Sequence, residues 1–222
     1  VLEEVIVTAQ KREQNLQDIP VAVTAIGNDA LEAYGINEMT DLTRVSASLT
    51  FGQGGNKQNS GFRIRGIGTN VFSIGVEPSV AVVIDDVSQV QPGQALSNLV
   101  DIERVEVLRG PQSTLFGKNA SAGLVSVITR APSEEFEGFA EVSLTDDDEQ
   151  KYTGAVSGPL GDNMGYRLTG YYKDYDGWAE NLVSGEDTNG SESKGVRGQL
   201  TWAITDDFDL GLIAWYSEDE DN

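Results

Sequence analysis

Two hydrophobic periodicities divide this chain. As far as Arg130, short apolar strands alternate with helical turns and glycine-rich loops, and beyond it a strict two-residue alternation takes over. In the first region Val21 to Ile26 is a strand closed by Gly27. Asn28 is positioned to cap a short helix running through Tyr34 to Gly35, and Asn37 to cap a second reaching roughly Val45. Leu31, Met39, Leu42 and Val45 then supply core. Ser48 to Phe51 is strand-like, and Gly52 to Ser60 is a flexible polar loop. In the strand Phe62 to Gly66, Phe62 and Ile64 share one face while Arg63 and Arg65 share the other. Val80 to Ile84 is a strand ending in the acidic turn Asp85-Asp86, and Leu96 to Val100 is read as a short helix.

The most informative stretch is Arg104 to Arg130, RVEVLRGPQSTLFGKNASAGLVSVITR. Arg104 to Leu108 alternates charged and apolar residues, so one face can be buried while the other stays polar. Gly110-Pro111 breaks the strand, Pro111 to Phe116 forms one or two helical turns ending at Gly117, and Leu124 to Thr129 is a second apolar strand.

After Ala131-Pro132 come amphipathic strands. Ala140, Val142 and Leu144 oppose Glu141 and Ser143; Tyr166, Leu168, Gly170 and Tyr172 oppose Arg167, Thr169, Tyr171 and Lys173. Val196, Gly198, Leu200 and Trp202 oppose Arg197, Gln199 and Thr201; Phe208, Leu210, Leu212, Ala214 and Tyr216 oppose Asp209 and Gly211. Tyr152 to Gly158 is a weaker further candidate. Alternation alone fits a soluble sandwich equally well, but aromatics near strand ends (Tyr152, Tyr172, Trp202, Tyr216) favour lipid-facing girdles. Connections alternate between polar loops (Asp146 to Gln150, Asp174 to Ser193) and tight turns (Pro159 to Asn163, Thr205 to Asp207), as in a membrane barrel.

Composition narrows the chemistry. With 222 residues the chain has room for one or two cored domains, and a net charge of -21 argues against nucleic acid or anionic lipid as a bulk-charge partner. The absence of histidine and cysteine removes imidazole bases, thiol nucleophiles and the usual zinc sites, so no enzyme activity and no cofactor is expected. No secretory leader opens the sequence at Val1, so an exported protein is expected to be represented by its mature chain, and no apolar run approaches the ~20 residues of a membrane helix. Gly110 to Lys118 superficially suggests a phosphate loop, yet the interval from Gly110 to Gly117 is too long and Asn119, not Ser or Thr, follows Lys118. Lys118 is then simply solvated. Gly66-Ile67-Gly68 lacks the third glycine of a dinucleotide fingerprint, because position 71 is Val. Asp85-Asp86 has no second catalytic element nearby and reads as a solvated turn. The acidic runs Asp146 to Glu149 and Glu218 to Asp221 are read as solvated loops, with calcium as the alternative.

VEVLRGPQSTLFGKNASAGLVSVITR closely resembles the signature of the plug domain of TonB-dependent outer-membrane receptors. EEVIVTA, FRIRGIG at Phe62 to Gly68 and VVIDDV at Val82 to Val87 match that family in the same order. The resemblance implies an α+β plug domain followed by antiparallel strands of an incomplete transmembrane β-barrel, which in the family closes with about 22 strands. Residues 1–18 would be TonB box and flexible linker, 19–132 the plug, and 133–222 the first barrel strands. The rest of the barrel must then pair with these strands.

The family's roles map onto particular residues. Glu4, Val5, Ile6, Val7, Thr8 and Ala9 resemble the TonB box, a segment that adds as a strand to the carboxy-terminal domain of TonB in the periplasm. The polar stretch Gln10 to Asp18 after it looks mobile. Arg65 and Arg109, each before a glycine where backbone can approach closely, would pair with glutamates on the inner barrel wall. Ligand would meet the outward loops through Asn56, Lys57, Gln58, Asn70 and Phe72, with any metal arriving already chelated. The implied function is import across the bacterial outer membrane of a scarce, bulky nutrient, most often a ferric siderophore, with vitamin B12, haem or glycans as other family ligands. The competing reading is a soluble or surface-attached β-rich binding protein without transport.

Overall fold

The computed structural model describes residues 6–12, 14–54, 60–69, 75–90, 98–146, 148–177, 179–180 and 187–221. The chain forms two compact units, Val1–Arg130 and Ala131–Asn222.

The first unit opens with a small hairpin, β1 (Ile6–Val7) against β2 (Gln14–Asn15). Next come β3 (Ala22–Gly27), α1 (Asn28–Ala33), a 3-10 turn at Met39–Asp41, α2 (Leu42–Val45), and a second hairpin of β4 (Leu49–Gly52) and β5 (Gly61–Ile64). β6 (Val80–Ile84), β7 (Val87–Ser88), β8 (Ile102–Arg109), α3 (Ser113–Phe116) and β9 (Gly123–Thr129) complete it. The main sheet runs β3-β8-β9-β6-β7, antiparallel except for the parallel pair β6 and β9.

Both faces of this sheet are covered. Val80, Val82, Val105, Val107, Val125 and Val127 pack under Leu31, Met39, Leu42 and Ile64. On the opposite face Ala81, Val83, Leu108 and Leu124 pack with Val7, Ala9 and Ile19 from the amino-terminal segment. The alternation in Arg104 to Leu108 therefore does not produce a solvated face. β8 lies between β3 and β9, and the face that carries Glu106 is roofed by Val7, Ala9, Leu16 and Ile19, leaving the Glu106 side chain 0% exposed.

Several local expectations need correction. Gly27 rather than Asn28 occupies the cap of α1, and the Asn28 amide instead donates to Glu32 at 2.6 Å. Glu38, not Asn37, is the N-cap of the 3-10 turn, and the Asp41 carboxylate accepts from the backbone N–H groups of Asn37 and Glu38, both at 3.1 Å, in a capping box. Of Leu96 to Val100, the described residues 98–100 are not helical, and Asn98 forms an isolated bridge with Glu38. Pro111 precedes α3 rather than opening it, since Gln112 is the cap. Asp85 is anchored, not merely solvated: its carboxylate accepts from Thr129 N–H at 2.9 Å and Thr129 Oγ1 at 2.8 Å. Lys118 pairs with Glu77.

The second unit is an antiparallel sheet of β10 (Glu137–Leu144), β11 (Glu149–Pro159) and β12 (Met164–Tyr175), continued by β15 (Ser191–Thr205) and β16 (Phe208–Asp221). A two-stranded ribbon, β13 (Ala179–Glu180) with β14 (Asp187–Thr188), decorates the long connection between β12 and β15. The weak candidate Tyr152 to Gly158 is the middle of β11, paired along its whole length. The register aligns Val142, Tyr152, Tyr172, Lys194 and Glu218 in one row, and Val156, Leu168, Gly198 and Ala214 in another on the same face.

Candidate functional site

The amino-terminal segment is held on the sheet by its own alternation. Val7 and Ala9 point into the apolar cluster and are buried, while Ile6 between solvent and hairpin is half exposed. Thr8, whose backbone lies over β8, meets Glu106. Its N–H donates to Glu106 Oε1 at 2.8 Å and its hydroxyl to the same oxygen at 3.2 Å. Arg104, two positions along β8 on the same face, donates Nε to that oxygen at 2.9 Å, and its Nη2 reaches Thr8 Oγ1 at 3.4 Å. Arg104 Nη1 pairs with Glu103.

A buried carboxylate is tolerated only when hydrogen-bonded and charge-compensated, which Arg104 and Thr8 together accomplish for one oxygen. The other, Glu106 Oε2, is buried with no hydrogen-bond partner among the described residues. Beyond Thr8 the chain turns, Lys11 N–H donating to the Thr8 carbonyl at 2.8 Å, and Lys11 Nζ sits 5.5 Å from the centre of the Phe116 ring. The expected mobile stretch thus contains an ordered turn and β2, with Gln17 N–H donating to Asn15 Oδ1 at 3.0 Å.

The other expected site residues are dispersed. Arg65 is exposed and lies past the end of β5 in a turn with φ of 54°, followed by Gly66 at 77°, so it does not share a strand face with Arg63. Arg109, at the end of β8, donates Nε to the Ala22 carbonyl at 3.2 Å and Nη2 to the Val23 carbonyl at 3.3 Å. A Cβ at Gly66 or Gly110 would meet nothing within 4 Å, so within this unit positive φ (77° and 92°), not close backbone approach, explains both glycines. Glu4, Val5, Asn56, Lys57, Gln58, Asn70 and Phe72 lie outside the described residues.

Sequence reasoning did not single out Glu106 and Arg104, which the structure brings to Thr8. The available signal was Val105-Glu106-Val107 inside a strand ended by Gly110: a central strand covered on both sides must bury that carboxylate.

In the second unit the polarity of a soluble domain is inverted. Val142 (61% exposed), Leu144, Leu168, Val196, Leu212 and Tyr216 form an exposed apolar face, whereas Ser157, Arg167 (3%), Thr169, Ser193 and Gln199 on the other face are buried. Arg167 Nη1 donates to Glu137 at 2.9 Å. An apolar band facing outward and a polar interior are what lipid as solvent selects.

Residues 15–124 match the family model of the TonB-dependent Receptor Plug Domain. This chain belongs to the TonB-dependent receptors of the outer membrane. Among curated relatives of these receptors, the Iron-regulated outer membrane virulence protein of Vibrio cholerae is 28% identical over 99% of this chain and 34% of its own length. The ferric yersiniabactin uptake receptor of Yersinia pestis has a similar structure, with a TM-score of 0.81 at 26% identity over 90% of this chain and 32% of that one. The ferripyoverdine receptor of Pseudomonas aeruginosa, solved bound to ferripyoverdine, shares the fold with a TM-score of 0.79 at 21% identity. The chain thus spans between about a fifth and a third of the length of these relatives. A plug domain followed by antiparallel strands of an unclosed barrel is its architecture.

Proposed function

We propose that this chain is the plug and first barrel strands of an energised importer for a ferric siderophore. The observation that carries the reading is the inverted polarity of β11, β12 and β15, with apolar residues exposed on one face and polar ones buried on the other, in the sheet that follows a plug domain. Strands of that kind are stable in lipid, which disfavours a soluble binding protein. Glu4 to Ala9 serve as the segment that TonB takes up by strand addition, and the plug's outward loops, with Asn56, Lys57, Gln58, Asn70 and Phe72, receive the ligand. These loops offer oxygen and nitrogen donors and one aromatic but no His or Cys, which suits a chelated metal better than bare iron. Arg65 and Arg109 lock the plug to glutamates of the barrel wall. Siderophore receptors among the relatives support this ligand class.

The test is uptake of radiolabelled ferric siderophores by iron-starved cells whose only such receptor is the full-length protein. Uptake that stops when the proton-motive force is collapsed supports the reading. Deleting Asn56 to Asn59 should lower ligand affinity and leave membrane insertion unchanged. An absence of energised uptake across hydroxamate, catecholate and mixed siderophores overturns the ligand class, and unaltered affinity in the deletion moves the site off this loop.

A further inference from the structure

We propose that Arg104 and Glu106 form a two-position hydrogen-bond switch that holds the amino-terminal strand in one position and closes on itself in the other. The inference rests on the reading of residues 4–9 as the TonB-docking strand. In the position seen here, Glu106 Oε1 takes all the donors: Thr8 N–H, Thr8 Oγ1 and Arg104 Nε. Glu106 Oε2 has none among the described residues, although it is buried. An orphaned oxygen on a buried carboxylate is costly, and it marks a second arrangement the group is able to adopt.

The donor for that arrangement is already adjacent. Arg104 Nη2 is engaged with Thr8 Oγ1 at 3.4 Å, a long contact beside the shorter Nε bond to Glu106 at 2.9 Å. When Thr8 leaves, Nη2 loses its acceptor and Oε1 loses two donors. Nε and Nη2 lie on one edge of the guanidinium, so a small rotation gives the two parallel N–H···O bonds of a side-on arginine–carboxylate pair. Release of the strand then exchanges the Thr8 bonds for a second arginine bond instead of stranding a buried charge. Glu106 is the holding group and Arg104 the releasing group, and each position leaves the carboxylate compensated. Glu103, which takes Arg104 Nη1, steadies the guanidinium in both.

The two residues therefore act with opposite sign, which a static salt bridge does not. The experiment uses the full-length receptor in detergent and reads two quantities: amide exchange at Thr8 and affinity for the carboxy-terminal domain of TonB. Glu106→Gln keeps the volume and one acceptor oxygen but removes the charge; Thr8 exchange should quicken about tenfold, the loss of one charge-assisted bond, with tighter TonB binding in the absence of ligand. Arg104→Lys keeps the charge but not the fork; exchange at Thr8 should slow and TonB binding weaken. Thermal unfolding of both variants near the wild type supports reading these changes as local. Unchanged Thr8 exchange in Glu106→Gln, or faster exchange in Arg104→Lys, overturns the switch. Exchange that moves as stated while no form of the receptor binds TonB leaves the switch standing and refutes the docking assignment instead.

Discussion

Tyr152 and Tyr172 stand opposite each other across β11 and β12, their ring centroids 6.4 Å apart on the outward face. The next outward-facing row toward the loops is Leu144, Gln150, Asp174, Glu192 and Glu220, polar in all but its β10 member, while the rows below are Ala140, Gly154, Gly170, Val196 and Tyr216, then Gly138, Val156, Leu168, Gly198 and Ala214. From β11 to β16 polarity changes at the tyrosine pair, which suits a bilayer edge there, since an amphipathic ring is stable with its apolar body in hydrocarbon and its hydroxyl among headgroups. Leu168→Arg should therefore cost about 2–4 kcal/mol of barrel stability, and Glu192→Arg about 0–1 kcal/mol. Reversible denaturation of the full-length receptor in phospholipid vesicles measures both, and equal costs at the two sites would contradict this placement of the bilayer edge.

Val7 separates holding from docking. Its side chain is 0% exposed in the apolar cluster beside Leu108 and Leu124, and its backbone pairs with Gln14. Val7→Ala removes two methyl groups from that cluster, weakening retention by about 1–2 kcal/mol without altering the backbone donor. TonB should bind this variant more readily. Val7→Pro also loosens the segment but removes the N–H and fixes φ, so strand addition and uptake should fall. Calorimetric titration with the TonB carboxy-terminal domain distinguishes the two; a Val7→Pro receptor with intact binding and uptake would show that the segment docks by another route.

The strands of both units were legible because alternation and glycine breaks are local signals. The faces of β12 are legible, since Tyr166, Leu168 and Tyr172 alternate with Arg167 and Lys173 whatever the partner strands are, whereas β11 shows only as a weak candidate strand. What the chain could not disclose was the seat of its own first residues. Thr8 and Glu106 are separated by 98 positions, and no periodicity links them. Glu106 looked like half of an ordinary polar face because its cover comes from a segment that reads as a loose terminus. Caps were misplaced for a related reason: Asn28 and Asn37 have capping side chains, but Asp41 reaches the Asn37 and Glu38 amides first.

Gly123 opens β9 where the plug sheet is tightest. A Cβ there would lie 2.6 Å from the Leu108 carbonyl and 2.4 Å from Ile64 Cδ1. Ile64 has some freedom to turn aside, but the Leu108 carbonyl belongs to the neighbouring strand and does not. Gly123→Ala should destabilise the plug by about 1–3 kcal/mol, as overpacking does. Gly198, where a Cβ meets nothing within 4 Å, is the control, and Gly198→Ala should be close to neutral. Denaturant midpoints for the two variants decide this, and a neutral Gly123→Ala would mean that β8 and β9 part more easily than their paired backbone implies.

Arg65 and Arg109 provide the last test, because their surroundings in this chain differ. Arg109 is tethered by two bonds to the carbonyls of β3, which fixes the direction of its guanidinium; Arg65 is exposed in its turn. If barrel glutamates complete both sites, each arginine becomes one partner of a buried pair. Truncating it then leaves a carboxylate uncompensated, at a cost of about 3–5 kcal/mol. Outside such a pair, Arg109→Ala forfeits only its carbonyl bonds, about 1 kcal/mol each, and Arg65→Ala forfeits little. The contrast at Arg65 is thus the decisive one: a large loss in the full-length receptor requires a partner beyond this chain. Arg65→Lys should restore part of the loss, since charge survives and the fork does not. Unfolding of the plug within the intact barrel, followed for Arg65→Ala, Arg65→Lys and Arg109→Ala, measures these costs. A loss below about 1 kcal/mol at Arg65 places its guanidinium in water and removes it from the lock.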